Sequence, residues 1–101
     1  MSLYALQKAI YEVNRDGAVM ARYRANPADF SVGYELTDEE VGALNRPDIG
    51  LLYVLGVNGQ LLMHFAAACG YEWSAYIDEM KQGLVTYGPV REGLYATIGV
   101  K

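Results

Sequence analysis

The residues best suited to chemistry are a histidine and a cysteine. His64 and Cys69 are the single His and the single Cys of this 101-residue chain. They lie five positions apart on a predicted helix, which turns their side chains about 140° away from each other. A nucleophile and its base must lie within hydrogen-bond reach, so the two are not expected to form a catalytic dyad. His64 alone could serve as a hydrogen-bond donor or proton relay, although a structural role is the simpler interpretation.

Composition excludes several other classes of function. One His and one Cys do not make a metal-ligand pattern, so we expect no cofactor in this chain. A net charge of −4 without a Lys/Arg cluster argues against nucleic acid as a partner. No apolar run reaches the ~20 residues that span a membrane, and the N-terminus lacks the pattern of a signal peptide. We therefore expect a cytoplasmic protein that does not act as an enzyme by itself.

The most apolar stretch, residues 48–70, organises the rest of the chain. Its apolar residues recur every three to four positions, first from Ile49 to Gly56 and again from Leu61 to Cys69. Gly56 and Gly59 bound the break between the two sets, and Asn58 can cap the second helix through its side-chain oxygen. This stretch therefore predicts two short helices joined by a glycine-bounded turn.

The remaining helices are predicted from periodicity and capping residues. An apolar stripe predicts the first over about 3–13, Asp16 begins the second, and Asn26 with Pro27 begins a short third. Thr37 and Glu40 have the spacing of a capping box, which predicts a fourth helix to about residue 44. The last predicted helix covers about 73–80.

The character of the chain changes at Gly83. Residues 94–100 alternate between apolar and other side chains as a strand does. The predicted fold is thus all-α, a compact bundle of six or seven short helices over residues 1–82. Residues 83–101 are predicted to be an extended or hairpin-like C-terminal tail of the same single domain.

One turn of the second central helix is the first place to look for contacts. A flexible Met63, a titratable His64 and an aromatic Phe65 come together there, residue types that suit an apolar substrate cover with one polar contact. Phe65 shares the inward stripe and favours the core, whereas Met63 and His64 turn away from it. Tyr53, before the glycine-bounded break, and Asn58, within it, complete the candidates for covering a substrate or contacting a partner.

Several segments, taken together in their order and spacing, resemble a known family. They are Leu6-Gln7-Lys8 with Tyr11 and Asn14-Arg15-Asp16, Tyr23-Arg24-Ala25-Asn26-Pro27, Tyr34, Leu36-Thr37-x-Glu39-Glu40 with Ala43-Leu44, and Asp48-x-Gly50-x-Leu52-Tyr53-x-Leu55-Gly56-Val57. Over about residues 3–70 the chain is similar to the small α subunit of protocatechuate 4,5-dioxygenase-type extradiol dioxygenases, which have the name LigAB.

The resemblance implies a mostly helical subunit without iron of its own. It implies a β-type dioxygenase subunit as the partner, which carries Fe(II) and the catalytic base. The α subunit of such a pair packs over the active-site mouth and helps to enclose a catechol-type aromatic substrate. Nine tyrosines against two phenylalanines agree with an interface role, although ordinary variation in composition explains them equally well.

A second class of function stays open. The same small helical fold could be a recognition module that docks another enzyme, such as the leader-like domain of a split peptide N-methylation system. In that case the tail from Leu94 to Val100 would be the modified peptide. The neighbouring gene distinguishes the two, since a β-type dioxygenase supports the first function and a methyltransferase the second.

Overall fold

The computed structural model describes residues 2–91 of the chain, and these residues form seven helices and no strand. The helices are α1 (Ser2–Arg15), α2 (Gly17–Ala25), α3 (Pro27–Ser31), α4 (Asp38–Asn45), α5 (Ile49–Leu55), α6 (Gly59–Ala68) and α7 (Trp73–Tyr87). This confirms the all-α fold class. The predicted strand over 94–100 lies outside the described residues.

Side chains cap the helices where the sequence predicts them. The Asp16 carboxylate accepts from the Ala18 amide at 2.9 Å at the start of α2, and the Asn26 side chain accepts from the Asp29 amide at 3.1 Å at the start of α3. At α4, Thr37 Oγ1 accepts from the Glu40 amide at 3.1 Å while Glu40 Oε1 accepts from the Thr37 amide at 2.8 Å, which confirms the capping box.

The core gathers the inward faces of the helices around α5. Five of the seven α5 residues are buried, so this helix has almost no polar face. The largest fully buried side chains are Phe30, Phe65, Leu6, Ile10, Leu44, Ile49, Leu52, Leu62, Val13 and Val54. The stretch that the sequence marks as most apolar thus supplies the centre of the core.

The prediction that helical structure ends at Gly83 is wrong. Helix α7 continues to Tyr87, because Gly83 does not break the helix but lies against Gly50 of α5. A Cβ atom built at Gly83 would lie 2.5 Å from the Gly50 carbonyl oxygen, so only a glycine lets the two backbones approach this closely. The Tyr87 hydroxyl donates to Asp48 Oδ2 at 2.6 Å and fixes the added turn to the start of α5.

After α7 the chain turns back across the molecule. Gly88 has a φ of 89°, which favours glycine, and it ends the helix. The Arg91 amide then donates to the Val54 carbonyl oxygen at 2.8 Å, and the Arg91 guanidinium pairs with Glu39 at 2.6 Å. These contacts bring the end of the described chain to the C-terminal end of α5 and to α4.

Candidate functional site

Residues that are close in the sequence determine the turn between α5 and α6. Gly56 ends α5 with a φ of 106°, a left-handed conformation that side chains other than glycine rarely adopt. Two residues later, Asn58 Oδ1 accepts from the amides of Gln60 at 2.9 Å and Leu61 at 3.2 Å. The chain therefore changes direction sharply, and α6 starts at a defined residue.

Helices on both sides hold this turn in place. From α1, Gln7 Oε1 accepts from the Asn58 amide at 2.6 Å and Asn14 Nδ2 donates to the Leu61 carbonyl oxygen at 3.1 Å. From α7, the Tyr76 hydroxyl donates to the Gly59 carbonyl oxygen at 3.2 Å. Because the turn's polar backbone groups are satisfied from two directions, α6 presents its outer face in a fixed orientation.

The three candidate residues on α6, Met63, His64 and Phe65, differ in how exposed they are. The Phe65 side chain is fully buried, 5.6 Å from the Tyr23 ring between centroids, so it belongs to the core and is removed from the contact candidates. Met63 is half-buried and packs against the core, and His64 is exposed. Of these three residues, His64 and part of Met63 are therefore accessible at the surface of this helix.

The two candidates beside the turn have separate surroundings. Tyr53 on α5 is half-buried and lies near Tyr76. Burial raises the pKa of Tyr76, and the nearby Tyr53 raises it further. Asn58 is half-buried, and its side-chain oxygen is occupied by capping α6, which makes it a structural residue first. Tyr53 and Asn58 lie at the α5–α6 turn, and Met63 and His64 follow on the next turns of α6; we call these four residues the turn surface.

Cys69 does not join this surface. It caps the C-terminal end of α6 and is half-buried. Burial raises the pKa of its thiol, an effect that the nearby Arg24 guanidinium offsets only in part. A neutral thiol is a poor nucleophile, so the chemistry open to Cys69 at neutral pH is limited.

The structure also contains a concave surface that sequence reasoning missed. Its volume is about 240 Å³, and it lies where α2, α4 and α6 end. The residues that line this arginine cleft are Tyr23, Arg24, Pro27, Asn45, Arg46, Pro47 and Cys69. The sequence contains one pattern that could have indicated this cleft: an arginine lies close to a proline in each of two separate segments, 24–27 and 46–47.

Within residues 2–91 no group of three or more His, Cys, Asp or Glu side chains is arranged to hold a metal ion. None of the helices in this part of the chain has the length and apolar character needed to cross a membrane.

The fold and the turn surface define a class of protein before any comparison. It is a small all-α domain in which hydrogen bonds from α1 and α7 hold the α5–α6 turn in place.

A comparison with protein families makes this class more specific. The family model described as "Aromatic-ring-opening dioxygenase LigAB, LigA subunit" matches residues 6–84, which run from α1 well into α7. The chain therefore belongs to the LigA subunit family. No curated protein and no solved structure matches the chain.

Proposed function

We propose that this chain is the non-catalytic α subunit of an extradiol ring-cleaving dioxygenase and that it covers the active site of a β-type partner subunit. The observation that supports this most strongly is the LigA family match over residues 6–84, because it includes the five complete helices α2 to α6, most of α1 and α7, and the α5–α6 turn. The partner would carry Fe(II), which supplies the oxygen chemistry, and the substrate would be a catechol-type aromatic compound. The cytoplasmic location expected from the sequence stays a prediction.

The turn surface is our candidate for the part that faces the substrate. An exposed His64 imidazole can donate or accept a hydrogen bond, and the half-buried Met63 beside it offers a flexible apolar contact. The hydrogen bonds from Gln7, Asn14 and Tyr76 hold the start of α6, so these side chains would reach a partner without reordering the backbone. A pre-ordered surface loses less entropy when it binds.

Co-purification tests the subunit assignment. We expect the chain, produced together with a β-type dioxygenase subunit from the same genome, to form a complex that opens catechol-type rings. The isolated chain should bind no iron and show no ring cleavage, which metal analysis and an oxygen-uptake assay measure. Stoichiometric iron and ring cleavage in the isolated chain would overturn the proposal, and a complex with a methyltransferase instead would favour the recognition-module function.

A single substitution tests the role of the turn surface. His64→Ala should lower kcat/KM of the complex for its ring substrate, which reports lost transition-state stabilisation, while the isolated domain stays folded. Lys81→Ala, an exposed change on α7, is the matched control and should leave the kinetics unchanged. Normal kinetics for the His64 variant, or its unfolding, would return His64 to a purely structural role.

A further inference from the structure

The arginine cleft has no role in the function proposed so far, and it brings two arginines together at an open concave surface. We propose that an acidic side chain of the β-type partner subunit docks into this cleft between Arg24 and Arg46. The inference rests on the proposed function, since it assumes that such a partner exists, and it adds the chemistry of one anchor point in the interface.

The walls of the cleft are mainly apolar and held in place. The Pro27 and Pro47 rings and the Cys69 thiol supply apolar contact, and the Tyr23 hydroxyl is fixed by donation to the Leu44 carbonyl oxygen at 2.5 Å. A volume of about 240 Å³ equals roughly eight water molecules of liquid, enough for one Asp or Glu side chain and its neighbouring backbone.

The two guanidinium groups are oriented before anything binds. Arg24 Nη2 donates to the Ala68 carbonyl oxygen at the end of α6, and Arg46 Nε donates to the Gly42 carbonyl oxygen at 3.2 Å within α4. A guanidinium has five N–H donors, so each retains others for a ligand. Arginines that are already oriented match the planar, two-oxygen geometry of a carboxylate.

Local charge makes Arg24 the stronger anchor of the two. The chain carries a net charge of −4, yet none of the residues that line the cleft is acidic. Asp48 lies 3.5 Å from Arg46 and neutralises part of its charge, whereas no carboxylate of residues 2–91 lies within ion-pair distance of Arg24. The C-terminal ends of α2, α4 and α6 add partial negative charge around the cleft, and the contacts of Arg24 and Arg46 with the Ala68 and Gly42 carbonyl oxygens offset part of it.

The combination of walls and charge favours a protein side chain over a free anion. A free anion would use only the guanidinium groups, whereas an Asp or Glu on a protruding segment would also place its methylene groups against the prolines. A typical interface covers about 800 Å² on each partner, so the cleft would be one anchor within a larger contact. Arginine and tyrosine are the residue types most often found at such anchors.

The test measures the affinity of the purified β-type subunit for charge-reversed variants of the full chain. Arg24→Glu should weaken binding at least about tenfold, and Arg46→Glu should weaken it less because Asp48 already screens Arg46. Arg22→Glu is the matched control: it changes the net charge equally on the same helix, but side chains two positions apart do not face each other. Titration calorimetry gives the dissociation constants, and circular dichroism checks each fold.

The outcomes separate this inference from the proposed function. If Arg24→Glu is unfolded, Arg24→Gln replaces it, because glutamine retains an amide donor for the Ala68 carbonyl oxygen while the charge is lost. Equal affinities for the Arg24, Arg22 and wild-type chains would overturn the cleft as a docking site and leave the subunit assignment intact. A wild-type chain that does not bind the β-type subunit at all would overturn both.

Discussion

Two helix contacts in this domain are packed in different ways, one backbone to backbone and the other through an aromatic side chain. Where α7 crosses α5, the contact has no side chains at its centre, and a Cβ built at Gly50 would lie 2.5 Å from the Glu79 carbonyl oxygen. Where α6 meets α2, a whole ring fills the contact, since Phe65 is fully buried against Tyr23. The first contact cannot accept an added methyl group, and the second cannot lose its ring.

The comparison also shows where this domain can make contacts. The glycine crossing brings two backbones together and buries both Gly50 and Gly83. Helix α6 instead uses only one side for the core, so His64, next to the fully buried Phe65, is exposed. A helix held by side chains on one face leaves its other face accessible to solvent.

Removing the Phe65 ring from the contact between α6 and α2 should cause the largest loss of stability. Phe65→Ala should lower the free energy of unfolding by about 3–5 kcal/mol, because it leaves a cavity against Tyr23 in the core. Denaturant unfolding of the isolated chain measures this. The adjacent His64→Ala is the control and should change stability by less than about 0.5 kcal/mol, as an exposed substitution does. Similar losses for both variants would contradict the division of α6 into two faces.

The next effect comes from adding one methyl group to the glycine crossing. Gly83→Ala should destabilise the domain by roughly 2 kcal/mol, because overpacking against backbone exceeds the ~1 kcal/mol that alanine gains in helix propensity. At Gly59 a Cβ would meet no atom within 4 Å, so Gly59→Ala serves as the control. A Gly83 variant as stable as the wild type in thermal and denaturant unfolding would show that α5 and α7 do not approach this closely.

Removing a helix cap that lies away from both contacts should cause a smaller loss of stability. Thr37→Ala should cost about 1 kcal/mol, because the Glu40 amide loses its side-chain acceptor at the start of α4. Thr37→Ser retains the hydroxyl and should retain most of the stability. An unchanged melting temperature for the alanine variant would mean that the capping box adds nothing to this fold.

The smallest effect concerns the Tyr76 hydroxyl, which joins α7 to the α5–α6 turn. Tyr76→Phe should cost about 1 kcal/mol or less at neutral pH through loss of the hydrogen bond to the Gly59 carbonyl oxygen. Burial raises the pKa of Tyr76 above its usual value of about 10, so the neutral hydroxyl stabilises the folded state. This contribution is complete below pH 10 and is lost as the pH rises through the folded-state pKa.

Unfolding at a series of alkaline pH values tests this sign. The stability difference between the wild type and the Tyr76→Phe variant should shrink above pH 10, because an ionised hydroxyl no longer donates. Burial also raises the pKa values of Tyr34 and Tyr71, so the wild type itself should lose stability in the same range. A difference between the two chains that grows with pH would contradict the assignment.

The start of most helices, and the family, could be predicted from the sequence. Asp16, Asn26, Thr37 and Asn58 each cap a helix by binding an amide two or three residues away, so the information needed lies within one short segment. The segments that resemble LigA belong to the same helices, and the family match over 6–84 confirms that resemblance. An exposed His64 beside a buried Phe65 also follows from helical spacing, because consecutive residues point about 100° apart around the helix.

Only the tertiary structure decided what Gly83 does and where the arginine cleft lies. A glycine at position 83 is typical of a helix end, yet α7 continues past it. Gly50, more than thirty residues earlier in the chain, has no side chain and lets the α7 backbone pack against α5 at Gly83. Arg24 and Arg46 come together because α2, α4 and α6 end in the same place. Caps and periodicity act between neighbours in the chain, whereas a close backbone approach and a shared cleft depend on residues that meet only after the helices have packed.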